Sequence, residues 1–379
     1  GNIVAITGLK DAVAGETIST GPEPIEPFEA IKHYSEPVVT VAVEAKHTKD
    51  LPKLIEVLRS ISKADPSIQV NINQETGENL MSGMGELHLE ITEYRIRNDH
   101  KLEIITSEPI VVYRESVSKK TPAKFEGKSP NKHNRFYIEV EPLPENIIKA
   151  IHDNEIPENV KKHKTDVLKK LQELGMSKDE AKGVFAIHGT NMFADVTKGI
   201  QYLTETRPLL EEAFVEVMKS GPTASEPCQG VFVKMVDAKL HEDAIHRGPA
   251  QVIPAGRNAI YGAIASSGPI LLEPMQKVFI STPQDLMGDA SRELNQRRAE
   301  VRDMVTEGDS VNIDAKAPVS EMFGFASSIR GATGGRVLWN TENLGFEPMP
   351  KHLFDDVVKQ IRERKGLKPE PYPPSYSAD

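Results

Sequence analysis

The sequence predicts an α+β protein: two βαββαβ modules of ferredoxin-like order, at 36–115 and 268–346, on either side of a larger strand-and-helix insert at 116–267. Three observations carry this. Apolar residues alternate between strand and helix spacing in the same order twice, first from Val39 to Ile104 and again from Val278 to Trp339. The two stretches share that order and not their residues, so the repeat is one of topology. The chain has 379 residues, 38% hydrophobic and 27% charged, which suits two or three domains of ordinary soluble composition.

Residues 1–20 alternate strand and turn signals, with turns at Gly8 and Ala14-Gly15, as the end of a β-domain would. They belong to an N-terminal segment 1–35 whose second part, with Pro22, Pro24 and Pro27, reads as an extended linker. In the first module Val39, Val41 and Val43 alternate with Thr40 and Ala42. Leu51, Leu54, Ile55, Leu58 and Ile61 then fall at helical spacing, and Asp65-Pro66 stops the helix. Ile68, Val70 and Ile72 alternate, and Glu75–Glu78 turns the chain into a short strand at Asn79–Ser82. Gly83 and Gly85 open a second helix with Leu87, Ile91 and Tyr94 on its apolar face, and Leu102 and Ile104 mark the last strand.

The insert opens with Lys119, Lys120, Lys124, Lys128, Lys132 and Arg135, opposed by Glu126 alone. A strand at Phe136–Val140, helices at 157–174 and 177–183 and a strand at 184–188 follow. A helix at 206–220 carries Leu209, Leu210, Ala213, Phe214 and Val217 on one face. Gly230–Leu240 is a strand, His241–Pro249 a short loop, and Gln251–Ser266 a helix burying Ile253, Ile260 and Ile264. Gly256 inside that helix costs about 1 kcal/mol relative to alanine. In the second module Val278 and Ile280 sit in a strand, and Leu286, Ala290 and Leu294 in a helix. Val301 and Val305 pair with Val311 and Ile313 through the turn Glu307-Gly308-Asp309. Ser320 caps a helix with Met322, Phe323, Ala326 and Ile329, and Arg336–Trp339 closes the unit. The segment 347–379 holds an amphipathic helix at 350–365, with Leu353, Val357 and Ile361, and a Pro-rich tail from Lys368.

Several classes are excluded. No apolar run reaches 18 residues, and no basic-then-apolar leader is present, so the cytoplasm is the simplest compartment. The single Cys228 rules out an internal disulfide framework. No G-x-x-x-x-G-K-[ST], H-E-x-x-H or G-x-S-x-G string occurs, so no catalytic residues are assigned. The net charge of −10 argues mildly against non-specific nucleic-acid binding and leaves local patches open. The absence of an initiating methionine reads as a fragment.

Four places could carry chemistry. His241-Glu-Asp-Ala-Ile-His246 holds two imidazoles and two carboxylates, but the spacing is wrong for a helical metal pair and no third ligand stands out; an exposed loop is the alternative. His246-Arg247-Gly248-Pro249 is a tight turn between a long strand and a helix, which should push His246 and Arg247 outward. Gly83 and Gly85 either offer bare N–H groups to an anion or allow close packing. Arg330-Gly-Ala-Thr-Gly-Gly-Arg336 and the Lys119–Arg135 stretch face RNA phosphate, or else are an ordinary loop and a solvated face.

The strings Gly83-Met-Gly-Glu-Leu-His-Leu-Glu90 and Ser320-Glu-Met-Phe-Gly-Phe-Ala326 resemble the third and fifth domains of ribosomal translocase GTPases. Asp243-Ala-Ile-His-Arg-Gly-Pro-Ala-Gln-Val-Ile-Pro254 resembles the fourth-domain tip of the archaeal and eukaryotic elongation factor 2 family, and Gly1–Ile18 the end of its second domain. The resemblance runs the length of the chain in collinear order. It implies a β-barrel remnant at 1–35, a ribosomal-protein-S5-like domain at 116–267, and a longer parent that binds GTP and Mg in a GTPase domain outside this sequence. It also implies a monomer, away from membranes, working with the ribosome, tRNA and mRNA. His246 matches the histidine that becomes diphthamide, which brings in diphthamide-synthesis enzymes. His241, Arg247, Gly248 and Gln251 would meet RNA at the decoding site. Gly83, Gly85, Glu86 and His88 would face the GTPase domain or the ribosome. Arg330, Thr333, Gly334, Gly335 and Arg336 would face ribosomal RNA and the stalk-base proteins. Pro249 departs from the Gly of eukaryotic relatives and suggests the archaeal branch. A related GTPase of ribosome assembly or splicing should lack the His-Arg-Gly tip.

Overall fold

The computed structural model describes residues 2–9, 12–21, 25–26, 37–72, 79–371 and 373. The linker prolines Pro22, Pro24 and Pro27, the turn Glu75–Glu78, His33 and the end of the Pro-rich tail lie outside them. Chain contacts divide it into two compact units, Gly1–Val112 with Glu273–Glu347, and Tyr113–Leu272 with Pro348–Asp379.

The first module runs β1 (Val39–Ala45), α1 (Leu51–Ala64), β2 (Gln69–Ile72), β3 (Asn79–Gly83), α2 (Glu86–Asn98) and β4 (Ile104–Thr106). The strands lie antiparallel in the order β2-β3-β1-β4, and β5 (Ile110–Val111) also pairs with β1. That order is the ferredoxin-like one. Val39, Val41, Val43, Leu54, Leu58, Met81 and Ile96 are buried, as their spacing predicts for half-buried elements. The expected face of α2 is wrong: Leu87, Ile91 and Tyr94 are 48%, 45% and 63% exposed, while Leu89, Thr92 and Ile96 are buried. Close packing at the helix start sets this phase. A Cβ on Gly83 would sit 2.9 Å from Leu89, so Leu89 fills the space beneath that glycine. The shift of two residues turns the helix by about 200°.

The described part of 1–20 contains a turn at Ala14-Gly15 and no strand. Its apolar Ile3, Val4, Ile6 and Ile18 are more than half exposed. Ala14 N–H donates to the Lys63 carbonyl at 3.1 Å, but among the described residues no strand pairs with this segment along its length, as a strand requires.

The middle domain contains β6 (Arg114–Val117), β7 (Phe125–Lys128), β8 (Arg135–Pro142), α3 (Glu145–His152), α4 (Lys164–Glu173), α5 (Lys178–Gly183), β9 (Val184–His188), β10 (Asn191–Asp195), α6 (Leu203–Lys219), β11 (Val231–Lys239) and α7 (Pro249–Ser266). Its sheet runs β7-β8-β11-β10-β9, with β10 and β11 parallel and the other pairs antiparallel. One face packs Phe136, Ile138, Val231 and Val233 against Leu210, Phe214, Val252 and Ile260 of α6 and α7. The other packs Phe232, Met192 and Ile187 against Ile147, Val167 and Ala181 of α3, α4 and α5. The helix expected at 157–174 begins only at Lys164. Gly256, unexplained by helix propensity, is a contact glycine: a Cβ there would lie 3.0 Å from Leu210 and 3.2 Å from Ala213. A Cβ on Gly127 would strike Ala255 O, and one on Gly262 the ring of Phe125. These glycines let α7 lie hard against α6 and β7.

The second module runs β12 (Pro269–Pro283), α8 (Met287–Asn295), β13 (Glu300–Glu307), β14 (Ser310–Pro318), α9 (Phe325–Ala332) and β15 (Leu338–Pro348), in the order β13-β14-β12-β15. The first four residues of β12 pair with β6. The hairpin turns at Gly308 as expected, but its register differs: Val301 faces Ala315 and Val305 faces Asn312. Val305 takes its partner from the turn, which pairs Glu307 with Ser310, while a shift between Val301 and Asp303 displaces Val301 alone; every residue of β13 is exposed. Ser320 lies in a 3₁₀ turn, Val319–Glu321, and caps no helix; Gly324, with φ of 71°, is the N-cap of α9. The C-terminal helix α10 (Lys351–Arg364) matches the expected one within a residue.

The second unit buries a carboxyl group. Glu115 is fully buried and accepts the N–H groups of Thr223, Ala224 and Glu226 at 2.8, 2.7 and 3.1 Å. Burial pushes its carboxyl above the usual carboxylate range, against the pull of those three bonds.

Gly127→Ala should lower stability by about 2 kcal/mol through overpacking at a backbone oxygen, read as a drop in the denaturant midpoint. Glu115→Ala strands three buried N–H groups and should cost at least about 3 kcal/mol. The stability linked to Glu115's proton is full below its ordinary value of 4.5 and lost as pH rises through the higher folded value. The wild type's margin over Glu115→Ala should therefore widen as pH falls from 7 toward 4.5; a margin that narrows would contradict the assignment.

Candidate functional site

The loop between β11 and α7 is held from behind. Asn134, at the head of β8, is fully buried. Its Nδ2 donates to the His246 carbonyl at 2.7 Å, and its Oδ1 accepts the His241 N–H at 3.1 Å. Asn131 adds a bond from Nδ2 to the same His246 carbonyl, 3.2 Å, and its N–H donates to Gln251 Oε1, 2.9 Å. Both asparagines lie in the turn between β7 and β8, where Lys132 takes a left-handed φ of 63°. Asp243 accepts the Ile245 N–H and starts a 3₁₀ turn, Ala244–Arg247; Gly248 and Pro249 then open α7.

Arg247 does not point outward as the tight turn suggested. It is 6% exposed. Its Nη1 donates to the carbonyls of His241 and Glu242, its Nη2 to Glu205 Oε2 at 2.8 Å, and its guanidinium lies 4.3 Å from the Tyr202 ring centre. A planar fork with five donors can close a loop on two carbonyls and one carboxylate at once, and that use outweighs exposure here. Gly248 has a φ of −70° and open space around its Cα, so nothing inside the chain requires glycine there.

His241 and His246 remain half-buried, and Ile245 between them is 78% exposed. Their rings meet edge-on at 4.5 Å, and exposed His133 completes a cluster at 5.0 and 4.9 Å from them. Sequence reasoning missed His133, Asn131 and Asn134, although Ser-Pro-Asn-Lys-His-Asn is a strong turn string that marks where the facing loop had to be. Among the described residues no group of three or more histidine, cysteine or acidic side chains is arranged to hold a metal ion.

The other candidates lie elsewhere. Gly83 and Gly85 flank a tight helix entry. His88 Nδ1 accepts the Met84 N–H at 3.2 Å, and its Nε2 lies 3.1 Å from Asp65. Burial alone would raise the Asp65 carboxyl, but hydrogen bonds from Ser67 and His88 hold it below its ordinary value. Glu86 accepts the Gly324 N–H at 2.8 Å, and Gln276 donates to the Met84 carbonyl, so this turn meets the second module. After α9, Gly334 and Gly335 take positive φ, Thr333 is buried on the Ile329 carbonyl, and Arg330 and Arg336 are exposed on either side. Arg336 reaches Asp285 at 3.3 Å. In the basic stretch, Lys120, Lys124, Lys128 and Arg135 are paired with Glu139, Asp237 and Glu126, more partners than the local sequence offers.

Family models match three consecutive parts of the chain: elongation factor G domain III at 34–108, domain IV at 153–268 and the elongation factor G C-terminus at 270–357. Elongation factor 2 of Picrophilus torridus is 63% identical over 379 residues, all of this chain and 52% of that protein. That of Thermoplasma volcanium is 62% identical over the same span, and that of Archaeoglobus fulgidus 58% over 370 residues, 98% of this chain and 50% of its own length. The chain belongs to the elongation factor 2 family. It spans about half the length of the curated relatives it matches. The tip loop falls in the domain IV match and the Gly334-Gly335 loop in the C-terminal match.

Asn134→Ala should loosen the tip at a cost of about 1–3 kcal/mol, since it leaves the His241 N–H unpaired and the His246 carbonyl held by Asn131 alone. Amide exchange at His241–Arg247 should accelerate about tenfold or more while β8 and β11 stay protected. Unaltered exchange in the loop would show that another contact holds it.

Proposed function

We propose that this chain is the ribosome-binding arm of a translation elongation factor that promotes GTP-dependent movement of tRNA and mRNA. The observation that carries the reading is the half-buried His246 on a loop whose backbone is fixed by buried Asn134 and Arg247, in a chain of the elongation factor 2 family. The loop enters the decoding site. His246 is the diphthamide position and a substrate of the enzymes that build that group, and a quaternary ammonium on its ring gains reach and fixed charge near RNA phosphate. His241, His246, Gly248 and Gln251 form the RNA-facing set, with Gly248 giving RNA close access to backbone. Arg247 works behind them as a positioning residue. Arg330 and Arg336 face ribosomal RNA in the second module, beside the stalk-base proteins. Gly83, Gly85, Glu86 and His88 shape the turn through which the arm couples to the GTPase domain.

GTP and Mg bind in that GTPase domain, outside this chain, and the chain itself carries no catalytic step. The protein works as a cytoplasmic monomer. No described helix is long and apolar enough to cross a membrane.

Tryptic release of Leu240–Arg247 from native protein, with fragmentation, should place a diphthamide-sized mass on His246 and none on His241. His246→Ala should leave the fold intact and raise frameshifting by the full-length factor. Unchanged frameshifting in a translation assay would contradict the role.

A further inference from the structure

Tyr202 breaks two local rules at once. It stands at the N-cap of α6 with φ of 62° and ψ of 2°, the left-handed region that a bulky side chain rarely enters. It also makes no side-chain cap bond, where serine, threonine, asparagine or aspartate would accept a helix N–H. Nothing in the helix itself favours tyrosine at this position. Among the described residues, six other than glycine take a positive φ, and two of these sit in segments that touch the tip loop. Lys132 lies between the asparagines that bind the His246 carbonyl, and Tyr202 lies against Arg247. Backbone strain of this kind persists where the surrounding structure holds it in place, and it collects at functional sites.

The tyrosine acts on a residue far along the sequence. Its ring centre lies 4.3 Å from the Arg247 guanidinium, a stacking that gains strength where water is excluded. Three residues on, Glu205 Oε2 accepts Arg247 Nη2 at 2.8 Å. The Arg247 side chain is 5% exposed and that of Glu205 is 65% exposed, so the acid holds the guanidinium from the solvent side while the ring covers it. Nη1 is left for the carbonyls of His241 and Glu242. Glu205 has a local reason for its place, as a carboxylate in the first turn of a helix. Tyr202 has none within α6, and its contact with Arg247 supplies one.

We propose that Tyr202 is a positioning residue for the tip: its ring, set by the left-handed turn before α6, seats Arg247 and so fixes the arc His241–Arg247 that carries His246. Tyr202 meets no partner in this role and acts through Arg247 alone. Without the ring, water reaches the guanidinium and competes for its bonds to the two carbonyls, and the loop opens more often while the core beneath it stays closed. This role depends on the one proposed for His246 and extends it to a residue outside the loop.

The test compares Tyr202→Gly, Tyr202→Phe, His246→Ala and the double variant Tyr202→Gly/His246→Ala in the full-length factor. Glycine adopts the left-handed backbone without strain and is accepted at an N-cap, so Tyr202→Gly should keep the fold and the thermal midpoint. Amide exchange at His241–Arg247 should still accelerate about tenfold, and frameshifting should rise as it does in His246→Ala. Tyr202→Phe keeps the ring and should match the wild type in both. Because Tyr202 acts through the tip, the double variant should frameshift no more than the higher of its two parents. Wild-type exchange and frameshifting in Tyr202→Gly, beside raised frameshifting in His246→Ala, overturns this proposal alone. So does a double variant whose rise is the product of the two single ones. Faster exchange throughout α6 and β11 with a lowered midpoint would make Tyr202 a general packing residue and overturns it likewise. Unchanged frameshifting in His246→Ala overturns the role of His246 and this proposal with it.

Discussion

The second unit depends on a carboxyl group that water does not reach. Glu115 sits beneath the loop Gly221–Glu226 and turns that loop's N–H groups inward onto its carboxylate. The loop's carbonyls face the other way. Thr223 O accepts Arg362 at 2.9 Å, Ser225 O accepts Lys365 at 2.5 Å, and the Glu226 side chain meets Lys365 at 2.8 Å. A short irregular segment is thus satisfied on both sides, by a carboxyl group within and by Arg362 of α10 and the following Lys365 without. Gly221 is required because any Cβ would strike the Glu115 carboxylate. Burial, with the neighbouring Glu115 carboxyl adding to it, drives the Cys228 thiol far above its ordinary value, so the one cysteine stays protonated and inert.

The tip follows the same logic at smaller scale. The groups that fix it, Asn134, Asn131 and Arg247, spend their donors on backbone carbonyls and a carboxylate inside the chain. The imidazoles they position are left partly in solvent. Rigidity comes from hydrogen bonds to main chain, which survive changes in the exposed side chains and leave those side chains to meet a partner.

Both modules were legible because their strands are half-buried and alternate, as in Val39-Thr-Val-Ala-Val43, and the sheet order followed from the βαββαβ sequence. The family was legible in short strings such as Asp243–Pro254. Elements buried on all sides were not: β10, Asn191–Asp195, has every residue buried and shows no alternation. Nor was the phase of α2, where three apolar residues on the wrong side imitate a core face while Leu89 docks beneath Gly83. At the site, His246 could be named from its neighbours in sequence, but the inward turn of Arg247 depends on Glu205 and Tyr202, some forty residues away, and no local pattern announces it.

Helix α7 begins two residues after Arg247 and runs 18 residues, about 27 Å of continuous helix. Gly127, Gly256 and Gly262 remove the side chains that would otherwise hold it off β7 and α6. Mechanically this makes the helix a strut whose loaded end is the tip. A push on the tip is carried along the helix axis and spread as shear into a close-packed wall, with no compliant linker to absorb it. Displacement at one end is then delivered at the other almost undiminished, as a lever arm requires.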